Sequence, residues 1–173
     1  MRLDANRAWG FDEALEFGRG VSGVRVEYVE EPLAEPGRLG ELAGEWGLPV
    51  ALDESLVGMG GEELGWHGYA RAVVLKPTLL GGISRSLRFA KEAKALGMKA
   101  VVSSSYESGV GTGALVALAA AVGDEPVGLD TYRRLAEDVI EVPLDLPAPA
   151  IDVTQAMEAA RRVNLRKVEP IRE

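Results

Sequence analysis

Short apolar runs that close on polar residues alternate along this chain with stretches of helical periodicity. Val24–Val29 carries Val24, Val26 and Tyr28 at period two and closes on Glu30-Glu31. Pro49–Leu52 closes on Asp53, Ala72–Leu75 on Lys76, Ala100–Val102 on Ser103-Ser104-Ser105, and Pro126–Leu129 on Asp130. At the start, Arg2-Leu3-Asp4 reads as the end of a further strand. After the Val24–Val29 run, the runs are apolar with polar residues only at their C-terminal ends. That is the pattern of parallel strands covered on both faces.

Helical patterns fill the intervals. Phe11–Arg19 follows Gly10, and Pro36–Trp46 places Leu39, Leu42 and Trp46 at helical spacing. Ser84–Leu96 puts Leu87, Ala90, Ala93 and Leu96 on one face, with Gly97 placed to stop it. Gly111–Val122 is rich in alanine and leucine, which predicts a well-buried helix; Tyr132–Asp138 and Val153–Val163 are later helical candidates. Gly58, Gly60 and Gly61 predict a loop after the third strand.

The strand ends fall at residues 4, 30, 53, 76, 103 and 130, in steps of 23 to 27 residues. This βα rhythm predicts an α/β fold: an incomplete (β/α)8-type, TIM-like barrel of about six βα units, a full barrel taking roughly 250 residues. An open doubly wound sheet is the competing architecture. The barrel is preferred because polar groups on successive strand ends converge where strands curve round one axis. Residues 1–142 are assigned to the partial barrel. Residues 143–173 form a connector (Pro143 to Pro149), a helix and a polar tail (Asn164 to Glu173).

The 173 residues suffice for one domain with a sizeable core. A net charge of −8 argues against a nucleic-acid partner. The absence of cysteine excludes disulfides and thiolate metal sites. No apolar run approaches a membrane span and no signal peptide is evident, so no membrane partner is expected and a cytoplasmic location is the default. Almost nothing precedes Arg2-Leu3-Asp4, and the expectation is that upstream structure is missing.

Asp4, Glu30, Asp53 and Lys76 each stand at a strand's C-terminal end, and in a barrel such ends share one mouth. Three carboxylates there suit a hard divalent cation such as Mg2+, with open positions left for water or a substrate carboxylate. Singly, each acid has a plainer explanation as a helix cap or surface residue; the joint spacing weighs against it. Glu31 and Glu54 follow proposed ligands directly and should face away from the mouth. Hydrogen-bond support of the ligands and simple solvation or capping both stay open for them. Ser103-Ser104-Ser105 offers hydroxyls and N–H groups to a substrate, or is a plain loop. Asp130 is a candidate helix cap. His67, the single histidine, reads as structural.

A family resemblance rests on Asp4-Ala5-Asn6-Arg7-Ala8-Trp9, Glu30-Glu31-Pro32, Leu52-Asp53-Glu54-Ser55, Leu75-Lys76-Pro77-Thr78-Leu79, Ser103-Ser104-Ser105-Tyr106-Glu107-Ser108 and Gly128-Leu129-Asp130-Thr131. In that order the chain resembles the catalytic barrel of the enolase superfamily, in its muconate-lactonizing branch. Over roughly residues 2 to 140 it looks most like the o-succinylbenzoate synthases of menaquinone biosynthesis. The serine run and Gly-Leu-Asp-Thr point most narrowly there. The resemblance implies Asp4, Glu30 and Asp53 as Mg2+ ligands and Lys76 as the catalytic lysine that stabilises an enolate. It implies Ser103 and Gly128 against the substrate, and no further cofactor-binding residues. The implied reaction is a syn dehydration. A proton is removed next to the carboxylate of a succinyl-hydroxycyclohexadiene, hydroxide leaves, and the ring becomes aromatic 2-succinylbenzoate.

Members of the family also carry an N-terminal α+β capping domain and a Lys-x-Lys strand that supplies the proton acceptor. Neither is found here, so by family order the chain begins at the third barrel strand. The expectation is a fragment with impaired or no activity alone: a truncated product, a misassigned start, or half of a split enzyme. Such a fragment could self-associate or be complemented by a chain bearing the cap and the Lys-x-Lys strand. Other superfamily activities (N-acylamino-acid racemase, dipeptide epimerase, muconate cycloisomerase) and a non-catalytic structural subunit are the alternatives.

Overall fold

The computed structural model describes residues 1–146 and 150–168. Five strands form one parallel sheet in sequential order: β1 (Arg2–Asp4), β2 (Tyr28–Glu30), β3 (Val50–Leu52), β4 (Ala70–Leu75) and β5 (Lys99–Val102). Helices α1 (Phe11–Gly20), α2 (Leu39–Trp46), α3 (Pro77–Leu80), α4 (Ile83–Ala95), α5 (Gly109–Val122) and α6 (Val153–Ala160) complete the architecture. The sheet is a half-barrel, which settles the choice between barrel and open sheet.

Strand alternation divides the core in two. Outward residues such as Val29, Val50, Leu52, Val73, Leu75, Ala100 and Val102 join the helices in the main cluster. The alternate residues Tyr28, Ala51, Ala72, Val74 and Val101 form a separate inner cluster. Small alanines on the inner face leave room for the buried Tyr28 ring, with the Arg2 guanidinium 5.1 Å from its centre. Continuing the alternation to each strand end puts Asp4, Glu30, Asp53, Lys76 and Ser103 on the inner side. Register supports this, because Asp4 stands opposite Glu30, and Glu30 opposite Ala51.

Four charged residues meet at the opposite, N-terminal end. Arg2 pairs with Glu27 and Glu125 (3.0 Å each), and Lys99 reaches the same two acids at 2.6 and 3.0 Å. Arg2 also donates to the Pro126 carbonyl at 2.7 Å, tying β1 to the segment that follows β5.

Several expected elements differ. The Pro126–Leu129 strand is reduced to one parallel bridge, Ser103 to Gly128. Proline lacks a donor and glycine has no side chain to pack, so a four-residue run holding both makes a poor ladder. In place of a Tyr132–Asp138 helix there is a 3₁₀ turn, Asp130–Arg134. Asp130 caps nothing: its side chain is 84% exposed and lies 3.3 Å from Arg133. Pro36–Trp46 divides into a 3₁₀ turn (Pro36–Arg38) and α2, and the last helix stops at Ala160.

Helix α4 buries Ser86, Phe89, Ala90 and Ala93, while Leu87 and Leu96 stay exposed. Phe89 is the largest apolar side chain of the helix interior and takes the core position, which turns Leu87 outward. Ser86 tolerates burial because its hydroxyl donates to the Gly82 carbonyl at 3.0 Å. Gly97, at φ +76°, ends the helix as expected. On the far side α6 packs on α5, where a Cβ at Gly113 would collide with Ala160. The predicted connector and tail fall partly outside the described residues, at 147–149 and 169–173.

Candidate metal centre

Carboxylate oxygens of Asp4, Glu30 and Asp53 lie within 4.8 Å of one another. The three residues come from the ends of β1, β2 and β3 (Asp53 one residue past Leu52), so register and curvature bring them to the same mouth. Glu30 has no side-chain hydrogen bond among the described residues, and burial pushes its carboxyl up to about 7, helped by the charges of Asp4 and Asp53. Burial likewise raises Asp53 to about 6, against the pull of its hydrogen bond from Lys76. Burial of Lys76 works to lower its pKa, but the bond to Asp53 outweighs it and the ammonium is held protonated. The neighbouring Glu54 Oε2 is buried without a hydrogen-bond partner.

Three acids crowded this closely repel one another when ionised. All-oxygen donors around an open position suit Mg2+ better than a softer metal. The donor set therefore fits a hard divalent ion. A lone ammonium on one flank neutralises only part of the charge.

A second layer of contacts holds this arrangement. Glu31 is fully buried, and its Oε1 accepts the Asp53 N–H at 3.0 Å and the Ser55 N–H at 2.8 Å. Its Oε2 accepts from Ser55 Oγ at 3.1 Å and Arg7 Nε at 3.2 Å. Of the two roles left open for Glu31, hydrogen-bond support is the one its contacts match. Glu31 is also at φ +36°, next to Pro32, and Asn6 and Arg7 are at φ +47° and +56°. Positive φ in such residues costs about 1–3 kcal/mol each and persists only where surrounding contacts enforce it.

Ser103 and Gly128 are adjacent across the bridge. Ser103 Oγ donates to the Gly128 carbonyl at 3.1 Å, and a Cβ at Gly128 would meet Ser103 Oγ at 2.7 Å. Ser104 donates to the same carbonyl at 3.0 Å and pairs with the Thr131 hydroxyl at 2.5 Å. Glu107 accepts from Thr78 Oγ1 and from the Ser105 N–H, both at 2.6 Å, joining α3, which follows β4, to the loop after β5. His67 pairs with the Tyr69 hydroxyl at 2.8 Å, away from these groups in the sequence order of strand ends.

Arg7, Ser55 and Glu107 were not singled out from sequence. The available signal was an acid directly after a strand-end acid and before proline, Glu30-Glu31-Pro32. Its partner Arg7 gave none, because the contact depends on how two loops meet.

Comparison with known proteins identifies relatives of the chain. The chain is 37% identical over 161 residues to the chloroplastic protein PHYLLO of Arabidopsis thaliana, covering 81% of this chain and 9% of that protein. It is 38% identical over 164 residues to the o-succinylbenzoate synthase of Thermobifida fusca (strain YX), covering 90% of this chain and 50% of the synthase. The chain thus spans about half the length of the synthase. A substrate-liganded structure of the L-Ala-D/L-Glu epimerase from Bacillus subtilis superposes with a TM-score of 0.73 at 27% identity, over 84% of this chain and 42% of the epimerase. The family described as enolase C-terminal domain-like matches residues 1–161. A match of that extent, on a half-barrel with this arrangement of strand ends, makes the chain a member of the enolase C-terminal domain-like family.

Proposed function

We propose that this chain is the catalytic-barrel portion of a Mg2+-dependent o-succinylbenzoate synthase, a lyase of menaquinone biosynthesis in the cytoplasm. The observation that carries the reading is the convergence of Asp4, Glu30 and Asp53 within 4.8 Å, with Lys76 bonded to Asp53. Within the family, the similarity to o-succinylbenzoate synthases supports this choice of reaction.

Asp4, Glu30 and Asp53 would hold the ion. When bound, Mg2+ supplies positive charge for the substrate carboxylate and for the charge that builds as the adjacent carbon loses its proton. Lys76, paired with Asp53, is a cation placed beside the three acids, and its role is to stabilise negative charge on the substrate. Ser103 and Gly128 line the approach of the substrate's succinyl or carboxylate end, and the Ser104–Thr131 pair steadies them.

Proton removal needs an acceptor, and among the described residues no second lysine stands at this mouth. Loss of a general base typically costs about 10²–10⁴ in rate. The chain alone is therefore expected to have little or no dehydratase activity. It should gain activity when mixed with a chain that carries the cap and the Lys-x-Lys strand. Failure to gain activity in that mixture refutes the split-enzyme version.

The metal site is tested separately. Mg2+ should raise the thermal midpoint of the chain, and Asp53→Asn should abolish the shift. No shift in the wild type would favour a non-catalytic structural role. The structural likeness to the Bacillus subtilis epimerase supports a second reading, a racemase or epimerase of the same superfamily. Assaying the complemented enzyme with both substrate types separates the two.

A further inference from the structure

A fourth carboxylate behind the mouth, Glu31, has no part in the proposed chemistry. Glu30 faces the mouth, and alternation turns Glu31 to the other side of β2. There it is sealed from solvent, where an unsatisfied carboxylate would be very costly. Its satisfaction comes from two segments separate from its own. After β1, Arg7 donates its backbone N–H to the Glu31 carbonyl at 2.7 Å and its Nε to Oε2 at 3.2 Å. After β3, Asp53 and Ser55 donate their backbone N–H groups to Oε1, and Ser55 Oγ donates to Oε2. Arg7 Nη2 closes the circuit by donating to Ser55 Oγ at 3.1 Å.

The segments joined in this way are the ones that carry Asp4, Glu30 and Asp53. We propose that Glu31 is a positioning residue whose carboxylate sets the spacing of the three metal-binding acids, by fixing the Asp53 backbone and the Arg7 turn to the end of β2. The inference rests on the metal reading above. Mg2+ tolerates little departure from its preferred geometry, so ligands already held at the right spacing bind it more tightly. Positive φ at Asn6, Arg7 and Glu31 fits this role, because strained turns need contacts that hold them.

A residue that merely supports the fold would lower the stability of the metal-free chain and leave the Mg2+ affinity of the folded chain unchanged. A positioning residue changes the affinity itself. Titration calorimetry with Mg2+ on the 173-residue chain, beside metal-free thermal melts, separates the two. Glu31→Ala should weaken Mg2+ binding by about 10–100-fold in the folded protein. Glu31→Gln keeps the volume and the Oε1 acceptor but sets an amide donor against Arg7. It should weaken binding by roughly tenfold, at the low end of that range, and it carries the test if Glu31→Ala does not fold. Wild-type affinity in either folded variant overturns the inference while leaving the metal reading intact. A wild-type chain that takes up no Mg2+ overturns both.

Discussion

Replacing Glu30 by glutamine should stabilise the metal-free protein while removing its response to Mg2+. The Glu30 carboxyl is half-buried beside Asp4 and Asp53, which raises it from an ordinary 4.5 to about 7. A folded-state value above the unfolded one means the native chain holds the proton more tightly. Ionisation therefore works against folding, and this penalty grows as pH rises from 4.5 to 7 and is complete above that. The full shift corresponds to about 3 kcal/mol, and partial exposure to solvent reduces it to roughly 1–3 kcal/mol. Glu30→Gln carries no ionisable group and escapes the penalty. Urea unfolding in a chelating buffer should show the variant close to wild type at pH 4.5 and more stable by roughly 1–3 kcal/mol at pH 8. Adding Mg2+ at pH 8 should raise the wild type and leave the variant nearly unchanged. Equal stabilities at pH 8 without metal would refute the prediction, because they would show that neither burial nor the neighbouring acids penalise the Glu30 charge in the folded chain.

Two further outcomes follow from other ion pairs. Lys76→Ala leaves Asp53 buried without its cation and should cost about 3 kcal/mol at pH 8 without metal; the loss should shrink when Mg2+ is added, and an unchanged loss in saturating Mg2+ would count against a shared site. At the opposite end, hydrogen bonds from Arg2 and then Lys99 hold Glu27 down at about 2, so its stabilising effect is present above 4.5 and fades as pH falls toward 2. Glu27→Gln should flatten the acid limb of the stability curve over that window, and an unaltered limb in acid titrations followed by circular dichroism would refute the assignment.

Much of the barrel and its mouth could be read from residue order. Five of the six expected strands form, and the strand-end residues Asp4, Glu30, Asp53 and Lys76 lie on one inner face, because side-chain alternation and a regular βα step leave them little choice. The misses were elements whose fate depends on partners. Pro126–Leu129 had a strand's polarity but too few donors to hold a ladder. Leu87 and Leu96 had the spacing of a buried face, but Phe89 filled the core instead.

The linear order of apolar runs and their polar closures sufficed for the fold class and for the place of each acid on its strand, since both follow from local periodicity. Folding in three dimensions decided the roles of Glu31, Arg7 and Ser55. Their hydrogen bonds join segments more than twenty residues apart, and no local pattern encodes how closely separate loops approach.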